Sequence, residues 1–340
     1  MGKNIDDFRN WLKTTESGTQ YSDLWNEMKL SFHDNRRTRG YSFNKEKDYR
    51  KLIKFLVFTK KFEKVVDRLQ LKFWNALRKF ISFILTGDAY TAKRYSLHYG
   101  VDIVGLAQKK LPKFFEEYTK FLNEHKEFYS YSGCRIFYYY TKITHLIDIR
   151  KKHHILEIGA GLAGLCSIIA RKEVRFSYVI IDIPEIIPNA YNELKSLCPN
   201  LTLFLPHQLK EFNECEAEQK VIWLLPSQKG KLSDIQFDLF INSESFAEML
   251  PEVSQDYWDF VNERLHTGGH AVSINRVSRF VSDNAMSYEK MSSPFKLRSE
   301  KLILESREID QFRALFPNFE ETPNLIDIYV KKQSKEEAGQ

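Results

Sequence analysis

An apolar run, Ile155-Leu-Glu-Ile158, passes straight into Gly159-Ala-Gly-Leu-Ala-Gly164 and then into a helix-like stretch from Ala163 to Lys172. Strand, glycine turn and helix in immediate succession narrow the architecture. The strand must be buried, and the helix must pack back onto the sheet that holds it. Gly159 and Gly161 permit tight backbone and close approach by a ligand, while the first turn of the new helix offers unpaired N–H groups. A polar ligand is expected at this turn.

The spacing Gly159, Gly161, Gly164 satisfies a GxGxxG dinucleotide fingerprint, with Asp182 about twenty residues on as the ribose ligand. Glu157 argues for a different ligand. At the end of a buried strand a carboxylate repels a pyrophosphate and is expensive unless it meets a cation. The ammonium of a methionine moiety is such a cation, so the favoured reading is S-adenosylmethionine. A nicotinamide or flavin nucleotide and a purely structural turn are the other readings. Tyr178-Val-Ile-Ile-Asp-Ile-Pro184 reads as a second buried strand ending in a carboxylate, with a helix from near Ile186. Asp182 at the carboxyl end of that strand can accept both ribose hydroxyls, or can simply end the strand. The candidate cofactor residues are Glu157, Gly159, Ala160, Gly161, Gly164, Asp182, Ile183, Asn242 and Ser243.

From 153 onward strand and helix patterns alternate, which implies a parallel sheet covered on both faces. Strands are expected at 154–158, 178–182, 221–225, 237–241 and 270–274, with Leu201–Leu205 a rival for the third. Glu308 to Phe316 reads as a helix stopped by Pro317, and 325–330 as the last strand. Upstream, 5–32 and 49–85 read as helices separated by a polar loop at 33–40. Helical periodicity resumes from Leu106 to Glu127, and the aromatic run Phe137–Tyr140 leads into a last helix. The expected fold is therefore α/β, a Rossmann-like sheet with an α-helical amino-terminal domain. Its boundaries are 1–150 for the helical, basic domain, 151–332 for the ligand-binding domain and 333–340 for a disordered tail.

With 340 residues, 43% of them apolar, the chain can build two domains or one large one. Cys134, Cys166, Cys198 and Cys215 have neither CxxC nor zinc-like spacing, which points to a reducing, cytoplasmic setting without a thiolate metal site. No apolar signal region opens the sequence and no apolar stretch approaches the length of a membrane span, so neither export nor spanning is expected. Charge is uneven: residues 1–150 hold 29 Lys/Arg against 17 Asp/Glu, and 151–340 hold 22 against 28. From Arg50 to Lys79, ten basic residues interleave with Phe55, Phe58, Phe62, Val65, Leu69, Phe73 and Leu77 at helical intervals. Such a helix can pack its apolar face and solvate its basic one. It can also meet an anionic membrane surface or a phosphorylated lipid-linked substrate at the inner membrane face, or, as a weaker alternative, nucleic acid.

The fourth strand ends in Asn242-Ser-Glu-Ser-Phe-Ala-Glu-Met249, beside the first strand in a doubly wound sheet. Methyl transfer to a hydroxyl is an in-line displacement that needs an aligned acceptor and a base. Glu244 and Glu248 share one face if a helix begins near Ser243, and either is a candidate base. Ser243 is equally a candidate N-cap. His207 and His270 are further candidates because imidazole titrates near neutrality. His153-His154 reads as the polar start of the first strand. Asn275-Arg276 ends the fifth, where a guanidinium can hold an anionic group or form a surface ion pair. No acidic cluster reads as a metal site.

Glu157-Ile-Gly-Ala-Gly161, Asp182-Ile-Pro-Glu185, Asn242-Ser-Glu-Ser-Phe-Ala-Glu-Met249 and Asn275-Arg276 together resemble the sugar O-methyltransferases, a bacterial branch of the class I S-adenosylmethionine-dependent methyltransferases. The resemblance covers about residues 150–280. It implies a Rossmann-like seven-stranded domain, S-adenosylmethionine as methyl donor and glycan hydroxyls as acceptors, free or on a lipid- or nucleotide-linked sugar. Tyr138 to Tyr140 would then be available to stack on a sugar face. Ala163 departs from the family's ExGxGxG pattern at the third glycine. An RNA methyltransferase and a non-catalytic binding protein on the same fold are the competing readings.

Overall fold

A computed structural model describes residues 97–98, 101–125, 127, 131–148, 150–172, 174–249, 251–276, 278–281, 287–290, 302–315 and 324–332, together with Asp7 and Trp11. The expected helices at 49–85 and, apart from Asp7 and Trp11, at 5–32 lie outside the described residues. So do the loop at 33–40, the basic stripe at 50–79 and the tail 333–340. The chain divides into two compact units, residues 26–138 and residues 1–25 with 139–340.

In the unit 26–138, β1 (Leu97–His98) and β2 (Val101–Asp102) form a two-residue hairpin ladder ahead of α1 (Ile103–Lys110), α2 (Pro112–His125) and the start of α3 (Tyr131–Ile143). The periodicity read as one helix over 106–127 is two, because Pro112 disfavours helical geometry at Leu111 and suits a first helical position. Phe115, Tyr118, Phe121 and Leu122 form the buried face of α2. The rings of Tyr118 and Phe121 lie 5.3 and 5.0 Å from Phe137 of α3.

The other unit is a doubly wound sheet. Its elements are β3 (Lys152–Ile158), α4 (Gly164–Arg171), β4 (Arg175–Ile181), α5 (Ile187–Leu197), β5 (Thr202–Phe204), α6 (Leu209–Glu214), β6 (Gln219–Leu224), β7 (Phe237–Ser243), α7 (Pro251–Arg264) and β8 (Leu265–Arg276). A separate hairpin, β9 (Ser278–Val281) with β10 (Ser287–Lys290), precedes β11 (Leu302–Ile309) and β12 (Asn324–Lys331). The eight-stranded order is β11-β12-β8-β7-β3-β4-β6-β5. All neighbours are parallel except β12, which runs against both β8 and β11. The two rivals for the third strand are both strands: β6 pairs with β4, and β5 adds an edge beyond it, giving eight strands where the resemblance implies seven. The helix expected at 308–316 is not formed. Residues up to Ile309 pair with β12 as a sheet edge, and only a 3-10 turn, Arg313–Leu315, follows. Tertiary pairing overrides a local helical pattern there.

Strand alternation sorts the core. Leu156, Ile158, Val179, Ile181, Ile222, Leu224 and Phe240 face α7, whose Tyr257, Trp258 and Val261 complete one layer. Ile155, Tyr178, Ile180 and Trp223 point the other way, and Trp223 lies 5.7 Å from Tyr191 of α5. No helix among the described residues is long and apolar enough to cross a membrane. Trp258, 2% exposed, sits edge-on to Phe240 and Tyr329 at 6.2 and 5.1 Å. Trp258→Ala is expected to lower stability by about 3–5 kcal/mol, read by urea denaturation; an unchanged midpoint would show that the layer does not depend on this ring.

Candidate active site

From β3 the chain winds outward through β4 to β5 and β6, then returns to β7 on the other side of β3. Strand order therefore reverses between β3 and β7, and the carboxyl ends at that reversal are where open α/β sheets bind ligands. The glycine turn after β3, the acidic end of β4 and the polar end of β7 all open onto this edge.

The turn is more specialised than its glycine spacing suggests. Gly159 has φ +70°, and its N–H donates to the Ile181 carbonyl at 2.9 Å. A Cβ at Gly159 would lie 2.3 Å from Ser245 Oγ and 2.4 Å from its Cβ, so this glycine makes room for a protein side chain rather than for a ligand. Gly161 differs: φ is +56° and nothing lies within 4 Å of where its Cβ would stand. Ala160 beside it is half-buried, and Gly164 begins α4. Ala163, fully buried, adopts φ +57°, a left-handed conformation that disfavours a Cβ.

Two carboxylates sit on adjacent strands. Glu157, 3% exposed, faces α4 and accepts the Tyr178 hydroxyl at 2.7 Å. Burial pushes its carboxyl up to about 7; the Tyr178 bond opposes this and the Asp182 charge adds to it. Asp182, 7% exposed, accepts the N–H of Gly161 at 3.0 Å and of half-buried Ile183 at 2.8 Å, one on each oxygen. Burial raises it to about 7 as well, against these two backbone bonds. Each carboxylate oxygen retains a lone pair for a further donor.

At the end of β7, Asn242 is fully buried and its amide is saturated. Its Nδ2 donates to the Ile158 carbonyl at 2.9 Å and to Ser245 Oγ, while its Oδ1 accepts Asn275 Nδ2 at 2.9 Å and the Phe246 N–H at 3.3 Å. Asn275 also reaches Ser273 Oγ and the Ala247 N–H. The side chain of Asn242, expected to hold a cofactor, instead braces the ends of β3, β7 and β8, and no donor or acceptor on it remains. Ser243 is half-buried at the last position of β7.

No helix begins at Ser243. Glu244 continues the ladder by donating its N–H to the Ile274 carbonyl at 2.7 Å, then turns with φ +66°, and Phe246–Glu248 form a 3-10 turn. Glu244 and Glu248 therefore do not share a helical face. The expectation fails because Glu244 keeps its N–H in the sheet ladder and then takes a left-handed φ that a helix does not continue. Half-buried Glu244 Oε1 accepts the Tyr139 hydroxyl at 3.1 Å and Asn324 Nδ2 at 3.3 Å. Tyr139 lies 3.0 Å from Asp310 Oδ2. Neither Asp310 nor Asn324 is singled out by sequence pattern, because each reaches Glu244 only through the sheet. Tyr138 and Tyr139 are buried, at 3% and 2%, so they offer no exposed face for a sugar.

The histidines are placed elsewhere. His207 follows β5, four strand spacings or about 19 Å from β7. Its Nδ1 is buried without a partner, its ring lies 6.1 Å from Trp11, and burial lowers its pKa. It is not grouped with Glu244. His270 pairs in register with Leu239, below the carboxyl edge, 3.4 Å from Glu305. His153 Nε2 contacts the Asp148 carbonyl and the His154 N–H donates to Asp238 at the start of β3. No group of His, Cys, Asp and Glu able to hold a metal occurs among the described residues.

No family model matches the sequence and no curated protein matches it. Similar solved structures include a TehB-like S-adenosylmethionine-dependent methyltransferase from Corynebacterium glutamicum, 14% identical, covering 57% of this chain and 88% of its own with TM-score 0.36. A second, from Clostridium acetobutylicum, is 11% identical and covers 66% and 99% with TM-score 0.37. A third, from Methanosarcina mazei, is 12% identical and covers 57% and 98% with TM-score 0.36.

Two outcomes follow from the geometry. Gly159→Ala forces Ser245 out of the brace and is expected to cost at least about 2 kcal/mol, whereas Ala163→Gly relieves a left-handed alanine and should raise stability by about 0.5–1 kcal/mol, both read by urea denaturation. The pH dependence has a defined sign. Carboxyls ordinarily near 4.5 and 3.8 stand at about 7 when folded, so between those values the folded state binds more protons and stability falls as pH rises. Thermal melts from about pH 5 to about pH 8 should show this fall, and Glu157→Gln/Asp182→Asn should flatten it; identical slopes would contradict the raised values.

Proposed function

We propose that the chain is an S-adenosylmethionine-dependent O-methyltransferase that methylates a sugar hydroxyl of a glycan or of a lipid- or nucleotide-linked sugar. The observation that carries this reading is the pair Glu157 and Asp182 on adjacent strands at the strand-order reversal, flanking the open turn at Gly161. Two buried carboxylates suit a ligand with an ammonium and a ribose diol, and they oppose a pyrophosphate. Asp182, already oriented by two backbone N–H groups, accepts hydroxyls; Glu157 meets the ammonium, which offsets the penalty of its burial.

S-adenosylmethionine bound there supplies a sulfonium methyl group. Glu244, one strand across at the end of β7, would take the acceptor hydroxyl's proton during the transfer. The acceptor class follows from the resemblance of the Asn242–Met249 string, in which Asn242 and Ser245 hold the edge and Glu244 is the favoured base.

Calorimetric titration with S-adenosylmethionine, S-adenosylhomocysteine and NADH tests the reading. Micromolar binding of both adenosyl ligands is expected, lost in Asp182→Ala and weakening as pH falls below about 7, where Glu157 becomes protonated. Binding of NADH with neither adenosyl ligand bound would overturn it and return the turn to the dinucleotide class.

A further inference from the structure

The Tyr139 hydroxyl stands between two carboxyl groups, 3.1 Å from Glu244 Oε1 and 3.0 Å from Asp310 Oδ2. A phenol has one proton and can donate to only one of them. If both carboxyls were ionised, the second would face the phenol's lone pairs at hydrogen-bond distance with no hydrogen between them. The contact is satisfied on both sides when one carboxyl is protonated and donates to the phenol oxygen while the phenol donates to the other.

The surroundings choose which. Asp310 is fully buried, and its other oxygen already accepts the Arg313 N–H at 2.9 Å, so Oδ2 is the atom free to carry a proton toward Tyr139. Glu244 is half-buried, and the same Oε1 accepts a second donor, Asn324 Nδ2. Asn324 is fully buried, and its Oδ1 has no hydrogen-bond partner. Among the described residues, the charged groups acting on Asp310 are Arg313 and Glu244. Burial is the largest influence and raises it, Glu244 adds to the rise, and the Arg313 and Tyr139 bonds oppose it.

We propose that Glu244 and Asp310 share a single proton across Tyr139, with Asp310 the acid and Glu244 the carboxylate, so that Asp310 and Tyr139 are positioning residues that hold Glu244 ionised and aimed. The proton arrangement stands on geometry alone; that Glu244 acts as a base rests on the methyl-transfer reading. During turnover Glu244 takes the acceptor's proton, while Tyr139 keeps its bond to Oε1 and Asp310 keeps its own proton. No further proton acceptor is required.

Infrared difference spectroscopy of the full chain tests the arrangement, comparing wild type with Asp310→Asn near neutral pH. The variant's amide reproduces both bonds of a protonated Asp310, so it should fold and should lack one protonated-carboxyl C=O band that wild type shows. Its melting temperature relative to wild type should also rise as pH is raised above the ordinary carboxyl range, because only wild type carries the raised acid at position 310. Absence of that band difference together with a flat melting comparison would overturn the proposal. Tyr139→Phe is a second measurement should Asp310→Asn not fold: the protonated-carboxyl band should shift as its acceptor is lost, and an unshifted spectrum overturns the proposal. In methyl transfer, Asp310→Asn should retain kcat within about threefold while Tyr139→Phe and Asp310→Ala lose roughly tenfold or more with KM unchanged. An Asp310→Asn loss as deep as that of Asp310→Ala would overturn the positioning role. Failure of wild type to bind S-adenosylmethionine would overturn the methyl-transfer reading alone, since the infrared result does not involve that ligand.

Discussion

The amide of Asn242 is the interaction on which the carboxyl edge depends. Four hydrogen bonds from one fully buried side chain join the last carbonyl of β3, the 3-10 turn after β7 and the end of β8. In a dry environment each of those groups left unmatched would cost roughly 1–3 kcal/mol, so the brace holds three strand ends in one register. It also explains the glycine at 159, whose missing Cβ is the space that Ser245 fills to join the network.

With the edge locked, acidic groups can be buried where they are costly. Glu157 and Asp182 are both held near neutrality by desolvation, and neither meets a cation among the described residues. A stable fold tolerates this when the groups serve a ligand, and local strain at the same edge fits that pattern: among the described residues, Ala163 and Glu244 are the non-glycine ones with positive φ. The left-handed turn at Glu244 carries its side chain off the β7 ladder toward Tyr139 and Asn324 instead of into the core.

Much of this was legible in local pattern. The strand–turn–helix at 152–171, the second strand ending at Asp182 and the strands around 219–224, 237–243, 265–276 and 324–331 follow from apolar periodicity and turn residues, which act within a few positions. The helix read at 308–316 did not form, because residues up to Ile309 pair with β12 and only a 3-10 turn follows. Glu244 and Glu248 were legible as residues but not in their geometry, since the helix that would have aligned them gives way to a ladder bond to β8 and a left-handed turn at Glu244. His207 carried a chemical signal but lies four strands from the site, and pattern holds no information about that distance.

The amino-acid sequence by itself determined the α/β class, the alternation of strands and helices from 152 to 276 and the placing of Glu157 and Asp182 at strand ends, because alternation, apolar runs and glycine turns act over short range. Only the tertiary structure decided that Asn242 is a brace, that Gly159 accommodates Ser245 and that Glu244 meets Tyr139 and Asp310, groups 105 and 171 positions apart along their two bonds. Those contacts are made by sheet order and desolvation, which arise when distant strands pack together and which no local window of residues contains.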